Sequence, residues 1–128
     1  MTAEDIAAIL ESNADPEALA GMARFGITGK KIYGIRIPAL RALAKEIGSD
    51  HTLALDLWRI ESRETRILAS MIDKPGALTD SQMESWVVGF DSWEVCDQCI
   101  MNLFEKHPLA WEKAVEWSWR DEIGRAHV

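Results

Sequence analysis

The residues of this chain best suited to chemistry are Trp93 and Asp97, which lie four positions apart in the segment 91–97 (DSWEVCD). On an α-helix, four residues turn the chain by about 400°, so both side chains project from nearly the same face, about 6 Å apart along the axis. The face of a tryptophan ring attracts cations, and a carboxylate stabilises developing positive charge. The pair therefore indicates a substrate that is cationic or becomes so in the transition state. The alternative is a core tryptophan beside a solvated or capping carboxylate.

The two cysteines of the chain, Cys96 and Cys99, form a Cys-x-x-Cys within the same predicted helix. A zinc site would need a second cysteine pair or a histidine cluster nearby, and the sequence has neither. A thioredoxin-like redox site would need a strand before the helix, and none is evident. We therefore interpret both cysteines as small buried thiols, and we predict neither a metal nor a cofactor.

Length and composition predict one compact domain. A chain of 128 residues, 48% of them hydrophobic, is long enough to build a real core. No apolar run approaches the roughly 20 residues that span a bilayer, and the N-terminus lacks the basic start of a signal peptide. We therefore expect a cytoplasmic monomer that does not associate with membranes.

Charge is distributed unevenly along the chain. The net charge of −7 argues against a polyanionic partner. However, no acidic residue occurs from Ala18 to Lys45, whereas acidic residues outnumber basic ones from Glu61 onward. Such asymmetry can make one region basic enough to meet phosphate. The basic residues of this region include Lys30, Lys31, Arg36 and Arg41. The alternative is that these are ordinary solvated charges.

Helix signals recur along the whole chain, and no segment has the pattern of a strand. Capping residues precede apolar residues spaced by three and four positions. The predicted N-caps and N-cap segments are Thr2, Asp15, Ser49-Asp50, Ser62, Thr79 (with Gln82 as a capping box) and Asp91 or Ser92, and the predicted C-caps are Gly26 and Gly48. The helix of Trp93 is predicted to continue through Phe104, and the final helix is predicted to begin at Pro108. The pattern predicts an all-α protein of about eight helices with an irregular connector over 30–37. The helices group into antiparallel pairs over 38–60, 62–89 and 92–119, which favours an α-α superhelix of stacked pairs.

Three segments, in the right order, resemble the DNA alkylation repair enzyme family, which comprises bacterial alkylpurine DNA glycosylases built from HEAT-like helix pairs. The run 33–45 (YGIRIPALRALAK) looks like the opening of that family's repeat region. Leu57-Trp58 followed by 64–69 (ETRILA) resembles its next helices. The segment 92–97 (SWEVCD) resembles its active-site helix, in which a tryptophan and an aspartate four residues later are catalytic. The resemblance covers most of 31–119 and implies a HEAT-like-repeat domain over 1–121.

This resemblance implies a DNA N-glycosylase, a hydrolase that excises purines alkylated at N3 or N7 from double-stranded DNA. Such bases are cationic, which weakens the N-glycosidic bond, and cleavage passes through a sugar with oxocarbenium character. Asp97 would stabilise that sugar and orient the attacking water, and Trp93 would pack beside the lesion nucleotide. The resemblance also implies that the base is not extruded into a pocket. The DNA-binding residues would be Lys30, Lys31, Arg36 and Arg41, which would hold phosphates. The alternative is a non-catalytic helical-repeat module that binds DNA or protein.

Two features depart from the family pattern. Its full-length members run well past 128 residues, and their later repeats supply a catalytic arginine and a further tryptophan, so we expect this domain to be incomplete at its C-terminus. The tail 122–128 back-translates into the start of a common sequencing adapter, so we expect it not to be native protein. A DNA-facing surface would also require that the acidic residues of the C-terminal part lie away from it. These residues are Glu94, Glu105, Glu112 and Glu116.

Overall fold

The computed structural model describes residues 1–24, 32–90 and 92–117, and within these ranges it contains eight α-helices and no β-strand. The helices are α1 (Ala3–Ser12), α2 (Pro16–Arg24), α3 (Ile37–Ile47), α4 (His51–Arg59), α5 (Arg63–Ile72), α6 (Asp80–Val87), α7 (Trp93–Asn102) and α8 (Ala110–Trp117). Two short 3₁₀ helices, Pro75–Ala77 and Phe104–Lys106, lie in the connections. The all-α prediction is confirmed. None of the helices in the described ranges is long and apolar enough to cross a membrane.

Short-range side-chain hydrogen bonds set the starts of most helices, as the sequence predicts. Thr2 and Asp5 form a reciprocal capping box at the start of α1. The other side-chain N-caps are Asp50 for α4, Ser62 for α5, Thr79 for α6 and Ser92 for α7. Each cap satisfies a backbone N–H that has no partner within its own helix. The predicted C-cap Gly26, like the alternative N-cap Asp91, lies outside the described residues.

The predicted capping box at α6 is only half formed. The Thr79 hydroxyl accepts from the backbone N–H of Gln82 at 3.1 Å, but the Gln82 side chain does not return to the cap. Its Nε2 donates instead to Oδ2 of Asp73 at 2.6 Å. The Asp73 carboxylate is buried and needs donors, so a tertiary partner outcompetes the local one.

The end of α7 and the start of α8 also differ from the prediction. The helix of Trp93 was expected to continue through Phe104, but α7 ends at Asn102, and Leu103 has φ −134°. Leaving the helix there lets the side chains of Leu103 and Phe104 enter the core, where both are buried. The final helix begins at Ala110 rather than at Pro108, which lies in a turn.

Helix α5 is the centre of the packing, because it lies against α3, α4 and α7. Its apolar residues Ile67, Leu68 and Ile72 are almost completely inaccessible to solvent. Burying a side chain of this size stabilises the fold by about 1.5–3 kcal/mol. The first helices of the three predicted pairs, α3, α5 and α7, are therefore neighbours in space. Stacked pairs require this adjacency, although the superhelix itself stays a prediction.

An aromatic cluster joins α4 to α6 on another side of the core. The rings of Trp58 and Trp86 stack with centroids 4.3 Å apart and an interplanar angle of 3°. The guanidinium of Arg66, on α5, lies 4.6 Å from the Trp58 ring centroid, close enough for a cation–π contact. Its Nη1 also donates to the carbonyl of Gly89 at 2.6 Å, so this arginine ties α5 to the end of α6.

Candidate active site

The N-cap of α7 determines where Trp93 lies. The Ser92 hydroxyl accepts from the backbone N–H of Val95 at 3.3 Å, and its own backbone is extended (φ −151°, ψ 153°). Trp93 is consequently the first residue of α7, and Asp97 follows one turn later. Trp93 is 57% exposed, so it is not a core residue.

Trp93 and Asp97 line one surface depression of about 370 Å³. The complete lining consists of Trp93, Glu94, Asp97, Gln98 and Met101. All of these residues belong to α7, so no other helix of the described part forms an opposite wall. Asp97 is partly buried, whereas Met101, two turns from Trp93, is half exposed. The depression thus offers an aromatic face and a thioether on either side of a carboxylate.

The opposite face of α7 anchors the helix in the core. Val95, Cys96 and Cys99 are completely buried there, and both cysteines are free thiols, which confirms the interpretation as small buried thiols. Burial, together with the charge of Asp97, raises the pKa of the Cys96 thiol to about 12. Burial likewise raises the pKa of Cys99 well above its usual value. Because a thiolate is the reactive form, neither cysteine is suited to nucleophilic chemistry.

A buried arginine holds the exposed end of α7. Arg63, the first residue of α5, donates through Nε to Oε1 of Glu94 at 2.5 Å and through Nη2 to Oε2 at 3.0 Å. The Arg63 side chain is only 3% exposed. Its burial alone would lower the pKa, but hydrogen bonds and attraction from Glu94 and Glu64 outweigh that cost and raise the pKa above its usual value. This arginine is therefore a permanent cation paired with Glu94, which lines the depression.

Glu64 completes the network on the other side of Arg63. Its side chain is completely buried and accepts backbone hydrogen bonds from Tyr33, Gly34 and Ile35 at 2.9, 3.0 and 3.2 Å. Arg63 Nη1 donates to Glu64 Oε2 and to the carbonyl of Ile35, both at 2.7 Å. One continuous set of hydrogen bonds thus links the segment before α3, the start of α5 and the start of α7.

Sequence reasoning missed the roles of Arg63 and Glu64. Adjacent opposite charges at the start of a helix usually form a solvated surface, so this pair does not by itself indicate a buried network. A signal was present in the prediction of an irregular connector over 30–37, because backbone N–H groups outside helices and sheets have no regular partners. Buried N–H groups of this kind need an acceptor from elsewhere in the chain.

Neither of the two candidate DNA-binding residues that the structure describes, Arg36 and Arg41, lines the Trp93–Asp97 depression. Arg36 is the exposed N-cap residue of α3 and shares another depression with Asp15 and Glu46. Arg41 is also exposed, and it lines a third depression together with Lys45, one helical turn away. The surroundings of Arg41 are therefore the more favourable for a phosphate. Lys30 and Lys31 lie outside the described residues, as does the tail 122–128.

Not all acidic residues of the C-terminal part lie away from the candidate site. Glu94 lines the depression itself, so it does not meet that condition for a DNA-facing surface. Its charge is compensated by the bidentate pair with Arg63, which lowers its repulsion toward a polyanion. Glu116 lies 3.7 Å from Lys113, which also pairs with Asp80 and Glu84.

Fold and site together define an all-helical protein that presents a tryptophan and a carboxylate on one exposed helix face. A family model described as DNA alkylation repair enzyme matches residues 6–123, and the chain belongs to this family. Membership supports a role in DNA repair, with DNA as the partner. Comparisons with curated proteins and with solved structures give no significant match. Within residues 1–24, 32–90 and 92–117, no group of three or more histidine, cysteine, aspartate or glutamate side chains could hold a metal ion.

Proposed function

We propose that the protein is a DNA N-glycosylase that excises cationic N3- or N7-alkylated purines from duplex DNA. The observation that carries this proposal is the shared depression of Trp93 and Asp97 on α7, in a chain that belongs to a DNA alkylation repair family. Trp93 offers an accessible aromatic face, and Asp97 lies one helical turn away on the same surface. Lesions of this class carry the positive charge that such a surface attracts.

The proposed reaction is a hydrolysis at the anomeric carbon of the lesion nucleotide. The C1′–N bond breaks, and its electron pair leaves with the alkylated base, which thereby becomes neutral. The sugar acquires oxocarbenium character, which the Asp97 carboxylate stabilises electrostatically. A water molecule oriented by the same carboxylate attacks C1′ and releases one proton to the solvent, so the products are an abasic site, the neutral free base and that proton. Trp93 holds the lesion nucleotide beside the carboxylate through cation–π attraction.

The proposal is tested by measuring base release from duplexes that contain N7-methylguanine or N3-methyladenine. Asp97→Asn conserves size but removes the negative charge, so we expect the single-turnover rate to fall by about 10²-fold or more while duplex affinity is kept. Asp56→Asn is a matched control, because Asp56 is a partly exposed carboxylate on α4 with an ion pair to Arg59. Both variants are assayed in the chain of 128 residues and in a form extended by the further repeats that the family resemblance implies.

The outcomes separate the two functional classes. Unchanged release by Asp97→Asn would remove this carboxylate from the mechanism. DNA binding without release by the wild-type protein in either form would favour a non-catalytic helical-repeat module.

A further inference from the structure

We propose that Glu94 is a positioning residue, through which Arg63 fixes the first turn of α7 and so the place of Trp93 relative to Asp97. This inference rests on the function proposed above. It goes beyond that function because it assigns roles to Glu94, Arg63 and Glu64, to which the proposed reaction gives no chemical step.

The first turn of a helix is the part most prone to fraying, because its N–H groups have no partners within the helix. Trp93 is the first residue of α7 and is 57% exposed, so packing holds it only in part. Glu94 is the next residue, and its carboxylate is fixed by two parallel hydrogen bonds from one guanidinium. A bidentate pair of this kind determines orientation as well as distance.

Arg63 is itself fixed by further hydrogen bonds and by burial. Its remaining bonds go to Glu64 and to the carbonyl of Ile35, and its side chain is 3% exposed. Glu64 in turn accepts from three consecutive backbone N–H groups of the segment 33–35. Because Glu64 and the segment that carries the Ile35 carbonyl hold each other in this way, the guanidinium has little freedom to move. The start of α7 is therefore fixed relative to the segment that leads into α3. Arg36 is the N-cap of α3, and Arg41 lies on it.

A positioning role and a purely structural role predict different results for variants of Glu94. A purely structural role predicts that variants lose stability but cleave normally once folded. A positioning role predicts a lower rate of the chemical step in protein that is still folded, because small displacements of a binding group lower the rate steeply. It also predicts an altered environment for the Trp93 ring, which can be observed without any substrate.

The experiment uses protein labelled with 5-fluorotryptophan, in which the Trp93 resonance is assigned from a Trp93→Phe variant. Glu94→Gln is the mild change, since it keeps size and one acceptor, and Glu94→Ala removes both acceptors. We expect the Trp93 resonance to shift and broaden in both variants, more in Glu94→Ala, and single-turnover release to fall by about tenfold or more in Glu94→Ala. Affinity for undamaged duplex should change less than twofold. Glu112→Gln, an exposed carboxylate on α8, is the matched control and should alter neither readout.

An unchanged Trp93 resonance in folded Glu94→Gln and Glu94→Ala would overturn the proposal. A loss of release that only follows the loss of folded protein, as measured by urea unfolding, would overturn it as well. Should wild-type protein release no alkylated base, the glycosylase function fails, but the fluorine resonance still decides whether Glu94 positions Trp93.

Discussion

The completely buried carboxylate of Glu64 accepts a hydrogen bond from the backbone N–H of Gly34 at 3.0 Å, across 30 positions of sequence. It also accepts from two neighbouring N–H groups and from Arg63. The irregular segment before α3 therefore depends on one side chain of α5 for its backbone hydrogen bonds. A buried carboxylate that is fully used in this way stabilises the fold chiefly because its removal leaves several polar groups unpaired.

The first prediction follows from that dependence. Glu64→Ala leaves three backbone N–H groups without an acceptor and Arg63 with one carboxylate fewer, so we expect a loss of about 3–5 kcal/mol in the free energy of unfolding. Urea unfolding followed by far-UV circular dichroism measures it, and Glu64→Gln should lose less. Glu11→Ala, at an exposed position of α1, should remain within about 0.5 kcal/mol of wild type. Equal stability of the Glu64 and Glu11 variants would contradict the role of the network.

The second prediction compares two glycines with positive φ. Gly34 has φ 84° and Gly48 has φ 81°, so alanine is strained at both positions. At Gly48 an added Cβ meets nothing within 4 Å, so we expect Gly48→Ala to lower the free energy of unfolding by about 1–3 kcal/mol. At Gly34 the added Cβ would lie 2.9 Å from the carbonyl oxygen of Asp15 and 2.8 Å from Cγ of Leu19. The free energy of unfolding of Gly34→Ala should therefore fall clearly further. Thermal unfolding of both variants checks which of them is less stable. A Gly34→Ala protein as stable as Gly48→Ala would show that α2 can shift to accept the added Cβ without loss of stability.

The third prediction concerns the basic residues before and on α3. Arg41→Glu should weaken binding to damaged and undamaged duplex alike, with a loss that shrinks as salt is raised, because phosphate contacts act through counterion release. Arg36→Glu should have a smaller effect, since Arg36 shares its depression with Asp15 and Glu46. Fluorescence anisotropy over a range of salt concentrations measures both. Lys106→Glu, which changes an exposed lysine after α7, is the control. Equal affinities of all three variants at low salt would mean that Arg41 is merely solvated surface.

The fourth prediction concerns the lesion that Trp93 favours. Trp93→Ala should lower the release of N7-methylguanine more than the release of a neutral base such as hypoxanthine, because cation–π attraction exists only for the charged base. Single-turnover release from matched duplexes gives the two ratios. Trp93→Phe keeps a weaker aromatic face and should lie between wild type and Trp93→Ala. A uniform loss across charged and neutral lesions would assign Trp93 to shape alone.

The fifth prediction concerns the buried thiols. At pH 8 an aromatic disulfide reagent should leave Cys96 and Cys99 unmodified in folded protein and react with both after unfolding. Since the pKa of Cys96 is about 12 in the folded protein, its contribution to stability is fully present below the pKa of the unfolded thiol, about 8.5. That contribution is lost as pH rises toward 12. The midpoint of urea unfolding should therefore fall less steeply with pH, between pH 8 and pH 11, for Cys96→Ala than for wild type. An equal dependence on pH in both proteins would contradict the raised pKa of Cys96.

Local signals predicted the helices well because their causes are local. The caps Thr2, Ser62 and Ser92 act over three residues, and the apolar spacing of each helix repeats within two turns. The local predictions failed where a tertiary contact replaces the local one. Gln82 has the spacing of a capping box, but its side chain is taken by Asp73, nine residues away. Leu103 and Phe104 continue the apolar pattern of α7, but the helix ends before them, and their side chains are buried in the core.

By itself, the sequence determined that the protein is all-α and that Trp93 and Asp97 are one helical turn apart, because both follow from backbone geometry over a few residues. Only the tertiary structure decided that Trp93 is exposed and that Arg63 joins Glu94 to the segment 33–35. Those partners are separated by 28 to 31 positions and meet because α5 packs between α3 and α7. Pairings across such separations depend on how whole helices pack, and no local pattern of residues encodes that packing.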